Sequence, residues 1–197
     1  MNLSPRTRLR LLGLLPLIFF LAQGVHYWKI NQLGNVLWMC NIGNLLLAVG
    51  LFLEKPVVVR LAAIWTIPGL VIWILYVVLV WTVFLSSALA HVGGLAVGMF
   101  ALSKYGMDRI SWRWAFGWYL ALQIASRYFT SPELNVNLAH AIQPGWEQTF
   151  HSYWSFWFVL TILTLAGLWL MALLLWRIWP ADALNRSVVV TTMGSDQ

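Results

Sequence analysis

The chain has 197 residues, of which 61% are hydrophobic and only 9% charged. A water-soluble domain of this length carries roughly 25% charged residues, so a soluble globular fold is excluded. The net charge of +6 does not indicate nucleic acid: the basic residues stand at the ends of apolar runs, not in one patch, and no nucleic-acid partner is expected.

Apolar runs near the ~20 residues that cross a bilayer predict an all-α, polytopic membrane bundle. In chain order the six expected transmembrane helices cover residues 11–23, 35–53, 61–80, 84–102, 115–128 and 153–176. The first run also fits a cleaved signal peptide, with Arg6 to Arg10 as its basic region and Ala22-Gln23-Gly24 as a small-residue cleavage site. The orientation of the later spans is the same either way. Only Thr82, Ser86 and Ser87 interrupt the apolar run between the third and fourth spans.

Charge decides that break. With the N-terminus inside, Arg6, Arg8, Arg10, Lys55, Arg60, Lys104, Arg109, Arg113, Arg177 and Arg186 are cytoplasmic, while Lys29 and Arg127 are outside. Ten against two obeys the positive-inside rule, whereas fusing the two spans scrambles it. Both termini are therefore expected in the cytoplasm, in a multi-pass protein of the cell membrane, or of the inner membrane if bacterial. Many of the 14 tryptophans fall near span ends, where indoles favour the interface. Residues 1–180 form one transmembrane domain, and residues 181–197 a polar tail expected to be disordered. Asn185-Arg186-Ser187 matches a glycosylation acceptor, but this topology puts it inside.

The polar residues collect at one level. Cys40, the single cysteine, falls ~9 Å below the outer face when counted from Gly34 at 1.5 Å per residue, and His91 falls ~10 Å below it from Phe84. Asn41 and Asn44 accompany Cys40, with Asn44 on its face at i+4. Arg127 ends the fifth span with Gln123 one turn deeper, and the outer loop adds Glu133, Asn135, Asn137, His140, Glu147 and His151. Polar groups in lipid face a partner or a cavity, which predicts one pocket opening outward. Ala90, Gly94 and Gly98 form a small-xxx-small stripe that admits close helix approach, and His91 follows that stripe into the bundle.

A lone thiol is either packing or a nucleophile that needs a nearby base or positive charge. His91 is the candidate base, and Arg127 can assist electrostatically. Asn41, Asn44, Asn135 and Asn137 are candidates to bind a lipid head group or steady an oxyanion; interhelical bonding and loop capping are their plainer roles. Arg127 either grips a phosphate or snorkels to the head groups. Pro68-Gly69 is a candidate kink in the third span. His26, His140 and His151 read as surface residues. No histidine pair has helical ligand spacing and Cys40 has no second thiol, so no metal is expected. Thiol chemistry also needs no cofactor.

Leu37-Trp-Met-Cys-Asn-Ile42, Ser87-Ala-Leu-Ala-His91 and Asn135-Val-Asn-Leu138 resemble, in order, three elements of the YwaF / transmembrane protein 164 family, over roughly residues 35 to 140. Trp38 stands where members often carry a polar residue, and the chain is short for the family. The resemblance implies an acyltransferase that moves a fatty acyl chain between phospholipids. Cys40 would carry the acyl group, His91 act as base, and Asn135 or Asn137 position the substrate. Its partner would be membrane lipid. Two other readings stand beside it. One is haem or quinone binding, with His91 paired to His26, His140 or His151. The other is a non-catalytic subunit held by a membrane-protein partner or a second copy.

Overall fold

The computed structural model describes residues 4–81 and 83–181. The polar tail from residue 182 and the Asn185 acceptor lie outside the described residues. The described chain is all-helical apart from an isolated β-bridge between Met107 and Pro180. Its helices are α1 (Pro5–Leu12), α2 (Leu14–Lys29), α3 (Met39–Phe52), α4 (Pro56–Val80), α5 (Leu85–Ala88), α6 (Gly94–Tyr105), α7 (Ser111–Phe129) and α8 (Tyr153–Ile178). A π turn, Leu89–Gly93, joins α5 to α6. Four helical stretches are long and apolar enough to cross a membrane: Arg6–Lys29, Pro56–Leu79, Leu85–Tyr105 and Tyr153–Ile178.

The helix starts follow local chemistry. Ser4 caps α1 by accepting the Thr7 N–H at 3.2 Å, and Pro5 follows at the first position, where a missing N–H costs nothing. Pro56 opens α4 in the same way. That helix ends at Trp81, which takes the left-handed φ of 55°, and the next helix begins at Leu85. The charge pattern therefore divides the long apolar run correctly.

The second expected span differs. A helix was expected from residue 35, but residues Leu33–Leu37 form a 3-10 turn and Trp38 is extended, so the α-helix starts at Met39. Its 14 residues reach only ~21 Å at 1.5 Å per residue, short of the ~30 Å hydrocarbon core. Cys40 thus sits in the first helical turn, not in the second turn of a helix begun at residue 35.

α4 is the hub. It packs on α3, α6 and α7 and, more lightly, on α8, while α2 closes the far side of α3. One apolar cluster is built around Ile64, Leu102, Met107 and Leu168, and a second around Leu47, Leu51, Val59 and Val97.

Charges tie one end of the bundle together. Arg10 pairs with Glu54 at 2.7 Å, and the Arg109 guanidinium lies 3.7 Å over the Trp176 ring. Arg60 donates to the Gly106 carbonyl (2.7 Å), the Tyr105 carbonyl (3.1 Å) and Asp108 (2.7 Å). Asp108 in turn accepts the Ile110 and Ser111 N–H groups that open α7. The Arg60 side chain is only 14% exposed, so losing it strands several acceptors. Arg60→Ala is expected to cost about 2–3 kcal/mol. Arg60→Lys should recover only part, because a single ammonium does not reproduce the planar fork. Equilibrium unfolding in mixed micelles measures both.

Candidate functional site

Cys40 owes its surroundings to the irregular start of α3. The Met39 N–H donates to Asn137 Oδ1 at 3.0 Å. The Asn41 and Ile42 N–H groups both reach the Trp38 carbonyl. Cys40's own N–H has no carbonyl acceptor among the described residues and lies beside its sulfur, as does the Asn41 N–H. A helix N-terminus carries about half a positive charge, and these two N–H groups are what the start of α3 offers the sulfur. The side-chain contact from the thiol to Asn41 Oδ1 is long, at 4.0 Å.

His91 lies in the π turn and is 8% exposed. Such insertions in a helix often mark functional positions. Its Nδ1 is 2.8 Å from the Ser87 carbonyl. A carbonyl only accepts, so Nδ1 carries the hydrogen and Nε2 keeps its lone pair. The Trp73 ring stacks on the imidazole at 5.3 Å and 15°, and Trp73 Nε1 donates to the Ser87 hydroxyl at 2.8 Å. Ser87 therefore fixes both the ring's tautomer and the aromatic plate behind it.

Cys40, Asn44 and His91 line one cavity, closed by Trp65, Thr66 and Gly69. Its volume is ≈ 10 Å³, about what the centre of one water molecule needs. Gly69 packs on Cys40, whose Cβ lies at an ordinary contact distance of 3.5 Å from where a side chain at 69 would begin. Asn44 is 1% exposed. Its Nδ2 donates to the Cys40 carbonyl and to the Ala90 carbonyl, both at 3.0 Å. One amide thus fastens the cysteine's turn to the histidine's turn. Both amide hydrogens are committed, and Oδ1 has no partner among the described residues. Gly94 makes the approach possible, as a Cβ there would meet Asn44 Oδ1 at 2.5 Å.

The remaining expected residues divide by element. Asn41 is fully buried beside Cys40, and its Nδ2 donates to the Asn35 carbonyl. Asn137 takes a left-handed φ of 53° and pushes its amide into the start of α3. It donates to the Leu37 carbonyl and to Ser126 Oγ, each at 2.8 Å, while accepting from Met39. Gln123 holds the Asn137 carbonyl at 2.6 Å. Asn135 stays within its own loop, accepting from His140 and Ala141 and donating to Ala141. Arg127 donates to the Ala139 carbonyl and lies over Tyr153 and Trp154. Neither Arg127 nor Asn135 lines the Cys40 cavity.

His140 is not the surface residue it was expected to be. It is half-buried, and its Nε2 donates to the Ser126 carbonyl at 3.2 Å. Ser87, Trp73 and Thr66 were missed as site residues. Ser87 had a signal, since a carbonyl four residues before a helical histidine is within ring reach.

Asn137→Ala is expected to cost about 1–3 kcal/mol, because it strands the Met39 N–H and the Leu37 carbonyl in a half-buried junction. Hydrogen exchange at the Met39 amide should accelerate well beyond that of residues deep in α4; equal acceleration everywhere would mean only global loosening.

No family model, curated protein or solved structure matches the chain.

Proposed function

We propose that the protein is a six-span integral membrane enzyme with both termini in the cytoplasm, and that it transfers acyl groups of membrane lipids through a thioester on Cys40. The carrying observation is the single cavity shared by the Cys40 thiol and the His91 imidazole, with Nδ1 committed to Ser87. Membrane placement is supported by the four long apolar helices. The six-span count is supported by the end contacts: Arg10, Glu54, Arg60, Asp108 and Arg109 tie one end, while Asn137 ties the other. The short resemblance to the YwaF / transmembrane protein 164 motifs supports the same reaction class.

The chemistry balances without a cofactor. His91 Nε2 takes the thiol proton as sulfur attacks the ester carbonyl carbon and a C–S bond forms. The oxyanion faces the Cys40 N–H at the α3 N-terminus. Collapse breaks the ester C–O bond, and the imidazolium returns its proton to the departing lipid alkoxide. A second lipid hydroxyl then gives its proton to Nε2, attacks the thioester and takes the acyl group, and the thiolate leaves and is reprotonated. The water-sized cavity holds the reacting groups but not the chains. In this reading the lipid reaches the partly buried Cys40 sideways from the outer leaflet.

Intact-protein mass spectrometry after incubation with an alkyne-tagged phospholipid tests this. The expected result is an adduct that neutral hydroxylamine removes and that Cys40→Ser lacks. Folded wild-type protein that stays unmodified by every common phospholipid class would sink the proposal.

A further inference from the structure

A second pocket lies at the outer end of the loop that follows α7. Its volume is ≈ 380 Å³, within the ~300–1,000 Å³ of small-molecule sites. Trp38, Leu138, Ile142, Pro132 and Pro144 give it apolar walls, and Glu133 stands among them. The Glu133 carboxyl is held below its ordinary range, first by the Ser131 hydroxyl and then by its own backbone N–H, so it is ionised at neutral pH. The charged residues of its loop are acidic, and His140 is the titratable side chain that acts on it. From residue 128 to residue 176 the only Asp, Glu, Lys or Arg residues are Glu133 and Glu147. The nearest cation in sequence, Arg127, is committed to the Ala139 carbonyl and to the rings of Tyr153 and Trp154. The Trp38 ring is steadied by the bond from its Nε1 to Asn35 Oδ1 at 3.2 Å.

An aromatic ring, a carboxylate and apolar walls with no cation among them form the set that takes an alkylated ammonium. No Lys or Arg lines the pocket to receive a phosphate or a carboxylate. We propose that this pocket binds a quaternary or primary alkylammonium group, with the cation between the Trp38 ring and the Glu133 carboxylate. Two sources carry that group at this end of the bundle: the head of a membrane lipid and a free amine. The assignment stands apart from thiol chemistry, although Trp38 is two residues from Cys40 and links the two sites.

The test is calorimetric titration of the full chain in a non-ionic maltoside with choline chloride. Saturable binding is expected, and Glu133→Gln and Trp38→Leu should each weaken it about tenfold. Glu133 is fully exposed, so its substitution carries no folding risk. Trp38→Phe keeps an aromatic face and should retain most of the affinity. Cys40→Ala should bind choline as the wild type does, which separates this site from the acyl-transfer reading. In nanodiscs of phosphatidylglycerol, doping with phosphatidylcholine should suppress choline binding if the lipid head is the ligand, and leave it intact if a free amine is. Absence of saturable binding in maltoside, or isotherms unmoved by both Glu133→Gln and Trp38→Leu, would overturn the assignment.

Discussion

His91→Gln is expected to slow formation of the Cys40 acyl adduct by about 10²–10⁴-fold, the usual share of a positioned general base. Glutamine keeps a donor for the Ser87 carbonyl, which now binds Nδ1 at 2.8 Å, so the turn should stay closed. It has no nitrogen able to take the thiol proton. The sign of the pH response follows. As pH rises, hydroxide replaces the missing base, so the variant should regain part of its rate while the wild type gains much less. Cys40→Ala should give no adduct at any pH. Ser87→Ala leaves the carbonyl in place but frees Trp73, whose Nε1 bonds the hydroxyl at 2.8 Å. It should slow the reaction far less than His91→Gln does. An adduct formed at wild-type rate by His91→Gln at neutral pH would remove the imidazole from the chemistry and leave only the helix N-terminus to activate the thiol.

The parts of this architecture that rest on apolar runs were legible in the chain. The break after α4 followed from where the arginines and lysines fall, and His91 faces the interior as the stripe through Ala90, Gly94 and Gly98 implies. Asn44 at i+4 from Cys40 does bond that residue's carbonyl. The start of α3 was not legible. Residues 33–38 carry no proline or capping serine to forbid an α-helix. What forbids it is tertiary: Asn137, one hundred residues after Leu37, takes the Leu37 carbonyl and the Met39 N–H for itself. The outer-loop residues were grouped by depth alone, which says nothing of direction around the bundle. Arg127 and Asn135, expected at the level of Cys40, turn instead to Ala139 and Ala141. The π turn at Leu89–Gly93 likewise had no mark in the local sequence pattern.

The contact at Gly94 predicts a structural effect that reaches the site directly. A methyl group placed there meets Asn44 Oδ1 at 2.5 Å and Nδ2 at 3.1 Å. A long flexible side chain would swing away cheaply, but this amide is pinned to the Cys40 and Ala90 carbonyls. Yielding means giving up both bonds in a fully buried place, at about 1–3 kcal/mol for each group left unpaired. Forcing the helices apart instead costs about 1–3 kcal/mol in overpacking. Gly94→Ala is therefore expected to destabilise the bundle by about 1–3 kcal/mol, the cheaper of the two responses, and to separate Cys40 from His91, so adduct formation should fall with stability. The double-mutant cycle identifies the cause. Asn44→Ala alone should cost about 1–3 kcal/mol, through loss of the amide's bonds to the Cys40 and Ala90 carbonyls. With that side chain gone, adding Gly94→Ala should cost little more, giving a coupling within the range of residues in direct contact. Additive costs would show that the alanine clashes with the helix backbone, and that Asn44 is not the element that sets how closely α3 and α6 approach.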